Sequence, residues 1–263
     1  MNNFNSSKVL IPVDFSETSL LAIKHGAFTA QLTKGNVYLL HVINIQFFSQ
    51  DVFLPSVSVH TQTDFEKVAQ ERLLQLGEQV KSEYGVTVEC ITKIGSPNKE
   101  IVDIAKEIGA TLIVMGTHGY TALEELVIVS TALKVITKSP CPTMAMNSDA
   151  DHKGYNKILI PIDTSAHSRQ KVNYAIGMAK KFSASVHAVA LLDHNEETEK
   201  PAMELILHQI EVIAKKENVP YHHDVVSEVK NRATTTVNYA AKIGADLIVI
   251  MTDQDAELSG FFL

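Results

Sequence analysis

At 263 residues, the chain is long enough for one large domain or two ordinary ones. Its 45% hydrophobic and 20% charged residues are ordinary for a soluble globular protein. The formal net charge of −7 argues against broad binding to nucleic acid or to an anionic membrane, because both need a basic surface.

Short β-branched runs alternate with amphipathic helices along the first half, a pattern typical of an α/β domain. In chain order, the predicted elements are strand Lys8–Asp14, helix Glu17–Leu32, strand Val37–Ile43, helix Asp64–Tyr84, strand Val86–Lys93, helix Pro97–Ile108, strand Ala110–Gly116, helix Ser130–Lys138 and strand Pro142–Met146. The nearly continuous apolar strands are expected where helices cover both faces of a parallel sheet. Ser96 and Pro97 predict a helix start, and Gly109 predicts its end.

Two segments of the first half return in the same order in the second. The run "KVLIPVDFSETS" (Lys8–Ser19) returns as "KILIPIDTSAHS" (Lys157–Ser168). The run "AKEIGATLIVMGT" (Ala105–Thr117) returns, one residue shorter, as "AKIGADLIVIMT" (Ala241–Thr252). The sequence therefore predicts a tandem duplication of one domain.

The duplication sets the predicted domain boundaries at 1–147 and 156–263, with the polar stretch 148–155 as the linker. Thirty residues run from Thr117 to Met146, whereas only eleven follow Thr252. We therefore expect the second domain to lack its last helix and fifth strand, either because the sequence is cut short or because the native protein omits them. The expected fold class is α/β, with two tandem doubly wound, Rossmann-like domains built on five-stranded parallel sheets, the second incomplete.

The end of the fourth predicted strand has the form of a phosphate loop. Ligands of doubly wound sheets bind beyond the carboxyl ends of the strands, where the strand order reverses. Gly116 and Gly119 in "GTHG" are expected to let the backbone turn sharply and bring its N–H groups close to a phosphate. Ser130 is expected to cap the next helix, whose positive end favours an anion.

Three stretches, "IPVDFSETSLLAIKHG", "LIVMGTHG" and "ALKVITKSPCPTMAM", resemble the universal stress protein family. Both halves share the resemblance, which covers nearly everything except the linker. It implies a doubly wound, adenine-nucleotide-binding-like domain whose nucleotide-binding branch carries Gly-x2-Gly-x9-Gly-(Ser/Thr). Gly116, Gly119 and Ser130 fill their places in this motif, while Val129 stands at the third glycine.

The resemblance implies ATP or another adenine nucleotide as the cofactor, together with Mg. It places Asp14 near the ribose, the phosphates or their metal ion, and Val42 against the adenine. The candidate nucleotide-binding residues are Pro12, Val13, Asp14, Val42, Met115, Gly116, His118, Gly119, Val129, Ser130 and Thr131.

Val129 argues against phosphate binding in this site. A β-branched residue does not readily adopt a positive φ, and its methyl groups would project where a phosphate oxygen is expected. Tyr120 and Ala122 also depart from the family's usual loop. These differences weaken phosphate binding more than adenosine binding, because the adenine pocket lies at other strand ends.

The same residues also have a purely structural interpretation. Gly116 and Gly119 would then form only a tight turn after the fourth strand, and Ser130 would be an ordinary helix cap. Asp14 would cap the first helix, although Ser16 is better placed to do so. A catalytic triad of Asp14, His118 and Ser130 is disfavoured, because Ser130 lies at a helix start rather than on a nucleophile elbow.

The second half keeps an aspartate, Asp163, after its first strand, but "MGTHG" has become "MTDQD", Met251–Asp255. The carboxylates of Asp253 and Asp255 would repel a polyphosphate in the absence of a metal ion. The sequence therefore predicts no phosphate site in the second half. The histidines show no zinc-ligand spacing.

We therefore expect a cytoplasmic stress-response protein that acts as a binding and interaction module. We expect it not to be an enzyme and to have no nucleic-acid or membrane partner. The two cysteines, Cys90 and Cys141, lack metal-type spacing and fit a reduced compartment. We expect a homodimer through the strand Pro142–Met146, whose edge the short second half leaves open. The alternatives are a slow ATP hydrolase or nucleotide-dependent switch, and a dimerisation scaffold that binds no nucleotide.

Overall fold

The computed structural model describes residues 4–44, 59–117, 131–148, 154–163, 166–192 and 200–251. Contacts divide the chain into two compact units. One unit is Asn5–Lys153, and the other joins Gly154–Leu263 with Met1–Phe4.

The first unit is a five-stranded sheet with helices between the strands. Its elements are β1 (Lys8–Pro12), α1 (Glu17–Thr33), β2 (Asn36–Ile43), α2 (Val59–Tyr84), β3 (Thr87–Ile94), α3 (Pro97–Ile108), β4 (Leu112–Gly116), α4 (131–138) and β5 (Thr143–Met146). The strand order is β3-β2-β1-β4-β5, and all pairs are parallel. This doubly wound topology confirms the predicted fold class and puts the reversal of strand order between β1 and β4.

The predicted element boundaries hold to within a few residues, with one larger error. Helix α2 begins at Val59, five residues before the predicted start at Asp64. Helix α3 begins at Pro97 and ends before Gly109, whose φ of 63° closes it as predicted. Ser96 does occupy the N-cap position, but its hydroxyl donates to Asn98 Oδ1 at 2.7 Å instead of accepting from the helix backbone.

A buried apolar cluster joins the sheet of the first unit to the face covered by α3 and α4. Side chains alternate between faces along a strand, so Leu10, Leu40 and Ile113 point to this face from three neighbouring strands. All three are fully buried. The cluster consists of Leu10, Leu40, Ile101, Ile104, Ala105, Ala110, Ile113, Met115, Ala132 and Val135.

The second unit repeats this topology with one strand fewer in its described part. Its elements are β6 (Lys157–Ile162), α5 (Ala166–Phe182), β7 (Ser185–Leu191), α6 (Lys200–Lys216), β8 (Tyr221–Val226), α7 (Arg232–Ile243) and β9 (Leu247–Ile248). The parallel strands follow the order β8-β7-β6-β9, which matches β3-β2-β1-β4 of the first unit. The predicted duplication is therefore visible in the topology. Residues 252–263, where the last helix and strand were predicted to be missing, lie outside the described residues.

An aromatic cluster on α5 takes in a residue from the start of the chain. The Phe4 ring lies 5.2 Å from that of Tyr174 and 6.3 Å from that of Phe182, and Phe4 is 9% exposed. The second unit thus includes a side chain that is distant in sequence. Within the ranges described above, no helix is both long enough and apolar enough to cross a lipid bilayer.

Candidate functional site

The predicted site residues that the structure describes lie at the carboxyl edge of the first sheet. Pro12 ends β1, with Val13 and Asp14 directly after it, while Met115 and Gly116 end the neighbouring strand β4. The strand order reverses between these two strands. The described site residues that follow β1 and end β4 therefore lie at the edge where doubly wound sheets bind ligands.

The Asp14 carboxylate is exposed and braces the start of α1. Its Oδ1 accepts hydrogen bonds from Ser16 N at 2.9 Å and Ser16 Oγ at 2.6 Å. Ser16 is the N-cap, because its Oγ accepts from Ser19 N at 3.2 Å. Asp14 Oδ2 makes no hydrogen bond to any residue that the structure describes. Ser16 therefore caps the helix, while Asp14 supports the cap and leaves one carboxylate oxygen exposed.

The residue after Asp14 has a strained backbone and is held from two sides. Phe15 has φ of 64°, a left-handed conformation that is unfavourable for a bulky side chain. Its ring lies 4.8 Å from the His41 ring, and the Arg72 guanidinium carbon lies 4.4 Å from its centroid. His41 Nδ1 is 2.7 Å from the carbonyl oxygen of Val13. The turn that carries Asp14 is therefore anchored to β2 and α2, which the sequence analysis did not foresee.

Gly116 is the last residue of β4, and the turn predicted between it and Gly119 lies largely outside the described residues. It remains in β4, opposite Met146 of β5. A Cβ built on Gly116 would lie 2.8 Å from Thr18 Oγ1, 2.9 Å from the Thr18 carbonyl carbon and 3.0 Å from Ser19 N. The next residue, Thr117, donates its N–H to the Met146 carbonyl at 2.9 Å. The close approach of β4 to the start of α1 is thus sufficient to require this glycine.

Met115 and Val42 share one face of the sheet. Met115 is 4% exposed and belongs to the core cluster with Leu10, and the half-buried Val42 packs against the same cluster. Thr131, in the first described turn of α4, is half-buried. The other predicted site residues, and the two carboxylates of "DQD", lie outside the described residues: His118, Gly119, Val129, Ser130, Asp253 and Asp255.

The equivalent edge of the second sheet carries a different set of charges. Asp163 follows β6, as Asp14 follows β1. Arg232, the first residue of α7, places Nη1 3.7 Å from Asp163 Oδ2. Lys171 on α5 is 7% exposed, and this burial lowers the pKa of its amine to about 8, although the Asp163 carboxylate acts in the opposite direction. Of these three residues, only Asp163 stands out in the sequence.

A polar groove of about 600 Å³ lies beside the amino-terminal half of β8. The His187 and His222 rings stack at 4.7 Å, and the Tyr239 hydroxyl donates to Asp224 Oδ2. Burial, followed by the charges of His222 and Lys157, lowers the pKa of His187. The groove is lined by Lys157, His187, Glu211, Tyr221, His222, His223, Asp224, Tyr239 and Ile243.

This groove replaces part of an apolar core in the first unit. Register equates Asp224 with Ile91, because their strand partners, Val189 and Leu40, hold equivalent places in the two sheets. Helices α3 and α7 have equal length and end at equivalent glycines, which equates Tyr239 with Ile104. Comparing the two halves position by position would have revealed these exchanges. Among the described residues, no group of three or more His, Cys, Asp or Glu side chains is arranged to hold a metal ion.

Comparison with known proteins identifies relatives of both halves. The universal stress protein family matches residues 5–146 and 154–263. The chain is 34% identical over 151 residues to universal stress protein MJ0577 of Methanocaldococcus jannaschii, a match that spans 53% of this chain and 93% of that protein. It is 34% identical over 140 residues to universal stress protein MJ0531 of the same organism, spanning 53% of this chain and 81% of that one.

A solved universal stress protein from Archaeoglobus fulgidus DSM 4304 resembles the whole chain. Its TM-score is 0.72 at 20% identity, and the match covers 93% of this chain and 86% of that one. At this identity the likeness concerns the fold alone. Since the family match extends over both halves, the chain belongs to the universal stress protein family.

Proposed function

We propose that the first unit binds ATP or another adenine nucleotide and that the protein serves as a cytoplasmic stress-response binding module. The observation that supports this most strongly is the position of Asp14. Its carboxylate is exposed beyond β1, beside the point where the strand order reverses. Ligands of doubly wound sheets bind at that point.

The rigidity of the turn adds to the argument. The Phe15 ring, held by His41 and Arg72, fixes the backbone that follows Asp14. Backbone strain of this kind costs on the order of 1–3 kcal/mol and persists where surrounding structure enforces it, often at functional sites. A carboxylate held in this way is suited to a metal ion on a polyphosphate, since Mg²⁺ is usually bound through one or two carboxylates and substrate phosphates.

The charge of Asp14 can be tested without disturbing its cap contact. Asp14→Asn keeps an oxygen that accepts from Ser16 but removes the negative charge. We expect ATP affinity in the presence of Mg²⁺ to fall by about tenfold, equivalent to about 1.4 kcal/mol, with little change for adenosine. Isothermal titration calorimetry measures both.

The matched control is Asp103→Asn, an exposed carboxylate on α3. It should leave ATP binding unchanged. Absence of ATP binding by the unaltered protein at millimolar concentration would overturn the proposal. Val129→Gly then tests the third glycine position, where we expect tighter phosphate binding because a methyl-bearing side chain is removed.

A scaffold that binds no nucleotide is the second candidate. The packing of Gly116 favours this candidate. A larger residue at that position would collide with Thr18, so the glycine is needed whether or not a ligand binds. A slow ATP hydrolase or switch is the third, and steady release of phosphate from ATP would be needed to support it.

We also propose a homodimer through β5. Among the described strands, β5 is at the edge of its sheet and pairs only with β4. An exposed edge strand is a template for pairing with another chain. A mass measurement in solution should give twice the chain mass at micromolar concentration. Monomer alone would contradict the proposed dimer while leaving nucleotide binding untouched.

A further inference from the structure

The short segment before β1, residues 4–7, belongs to a different unit at each end. Phe4 is part of the second unit, whereas the chain from Asn5 onward is part of the first. Ser6 is fixed within the first unit, because its hydroxyl donates to Thr33 Oγ1 at 2.8 Å, at the end of α1. Only Asn5 therefore separates a residue held by the second unit from a residue held by the first.

The second unit buries Phe4 in its aromatic cluster. The Phe4 ring meets that of Tyr174 edge-on at 5.2 Å and lies 6.3 Å from that of Phe182, which in turn lies 5.0 Å from that of Tyr155. Phe4 is 9% exposed, and Tyr155 is 2% exposed. Aromatic pairs at these distances and angles are favourable beyond the area that they bury. Phe4 thus adds to the interior of the second unit, although it precedes the first strand of the other.

A glycine on α5 makes room for the backbone of Phe4. Gly177 lies inside a 17-residue helix, where glycine is less favourable than alanine. A Cβ at this position would lie 3.1 Å from Phe4 N and 3.2 Å from Phe4 Cβ, and its three nearest atoms all belong to Phe4. The equivalent residue of α1, which has the same length, is the half-buried Phe28. A large side chain is therefore compatible with this helix position, and the approach of Phe4 accounts for the glycine.

The first unit has a glycine of its own beside the other end of the segment. A Cβ on Gly35 would collide with the carbonyl oxygen of Ser6. Register equates Gly35 with Ala184, because each precedes the residue that pairs with the first residue of β1 or β6. Ala184 is 1% exposed, so alanine fits the equivalent turn of the second unit. Each end of the segment thus has a glycine that the other unit replaces with a larger residue.

We propose that residues 4–7 form a strap that closes the second unit, with Phe4 docked on α5 and releasable from it. Release of Phe4 loosens α5, while the first unit keeps its own core. Because the strap is fixed at Ser6, a change that displaces Ser6 also withdraws Phe4. The strap gives an event on this segment, such as cleavage before Asn5, control over the second unit. It does not depend on nucleotide binding in the first unit.

Hydrogen–deuterium exchange of the full chain, read by mass spectrometry, tests the docking of Phe4. In Phe4→Ser we expect the amides of α5 to exchange at least about tenfold faster, because losing the ring lowers the free energy of local opening. The amides of α3, in the first unit, should exchange as before. Leu205→Ser is the control, since it removes an exposed apolar side chain from α6 of the same unit. It should leave exchange in α5 unchanged. Equal acceleration of α3 and α5, or none in α5, would overturn the proposal.

Two glycine substitutions test the two ends of the strap. Gly177→Ala adds a Cβ against Phe4, so exchange in α5 should become faster in the otherwise unaltered chain. In a Phe4→Ser background the same change should slow it, since only the better helix propensity of alanine remains. Gly35→Ala displaces Ser6 and should speed exchange in α5 only while Phe4 is present. The strap is refuted if either glycine variant acts on α5 alike in both backgrounds. No nucleotide enters these measurements, so their failure leaves the proposed nucleotide site untouched.

Discussion

At the scale of single residues, the site depends on contacts whose partners are far apart in the sequence. Phe15 reads in the sequence as an ordinary residue between Asp14 and the helix cap. In the structure its backbone is left-handed, and its ring contacts His41 of β2 and Arg72 of α2. No local sequence pattern predicts these contacts, because both partners are distant along the chain. The position of Asp14 followed from a local pattern, whereas the clamp around it did not.

Replacing Arg72 with methionine tests this clamp. The change keeps an unbranched aliphatic stem on α2 but removes the guanidinium group, whose carbon lies 4.4 Å from the Phe15 ring centroid. We expect the free energy of unfolding to fall by about 0.5–1 kcal/mol, the usual size of a partly exposed cation–π contact. Chemical denaturation measures this. Lys67→Met, at an exposed position of the same helix, should have no such effect, and equal losses in the two variants would argue against the contact.

Gly116 is a residue whose position could be predicted from the sequence although its packing contact could not. The local pattern correctly placed this glycine at the end of a strand. The proposed turn toward a phosphate stays a prediction, whereas the structure supplies a second reason for glycine, because a Cβ at this position would collide with Thr18. A motif position can thus be recognised while the contact that requires it is hidden in the tertiary structure.

At the scale of elements, strand and helix assignments followed from local patterns. Continuous apolar strands and the Ser-Pro and Gly signals of α3 are set by neighbours along the chain. The early start of α2 at Val59, five residues before the predicted Asp64, was missed. The second unit differs in two of its elements, because Tyr239 on α7 and Asp224 on β8 stand where the first unit has Ile104 and Ile91.

The polar groove under α7 should make the second unit sensitive to acid. Burial and the neighbouring charges of His222 and Lys157 lower the pKa of His187, while Asp224 raises it. The folded form therefore binds fewer protons than the unfolded chain below the ordinary histidine pKa of about 6.5. Stability that is present above that pH should be lost as pH falls toward the lower pKa of the folded form.

His187→Tyr tests this expectation with the residue that β2 carries at the equivalent position, Tyr38. We expect the drop in unfolding midpoint between neutral pH and pH near 5 to become smaller, since the group with the lowered pKa is gone. Thermal melts at a series of pH values measure the change. His208→Tyr, on the exposed surface of α6, should keep the original pH dependence. An unchanged pH dependence in His187→Tyr would show that other groups control it.

At the scale of the whole molecule, the duplication was the most secure result of the sequence, because it rests on long matching segments in the same order. The strand orders of the two units agree with it. The different side chains that the two units bury were harder to predict from the sequence. Lys171 is one of many lysines in the sequence, and its burial beside Asp163 is a property of the folded unit.

Because each unit has its own buried cluster, the two should respond separately to damage in the core. Leu10 and Leu159 hold equivalent places on β1 and β6, and both are fully buried. We expect either leucine-to-alanine change to lower the stability of its own unit by about 2–5 kcal/mol, through lost burial and the cavity left behind.

Ligands then identify which unit has been weakened. A ligand at a hundred times its dissociation constant stabilises the unit that binds it by about 2.7 kcal/mol. In scanning calorimetry, ATP should therefore offset much of the loss in Leu10→Ala and little of the loss in Leu159→Ala. A single transition that ATP raises equally in both variants would mean that the two units unfold together. Nucleotide bound to the first unit would then stabilise the whole chain rather than the first unit alone.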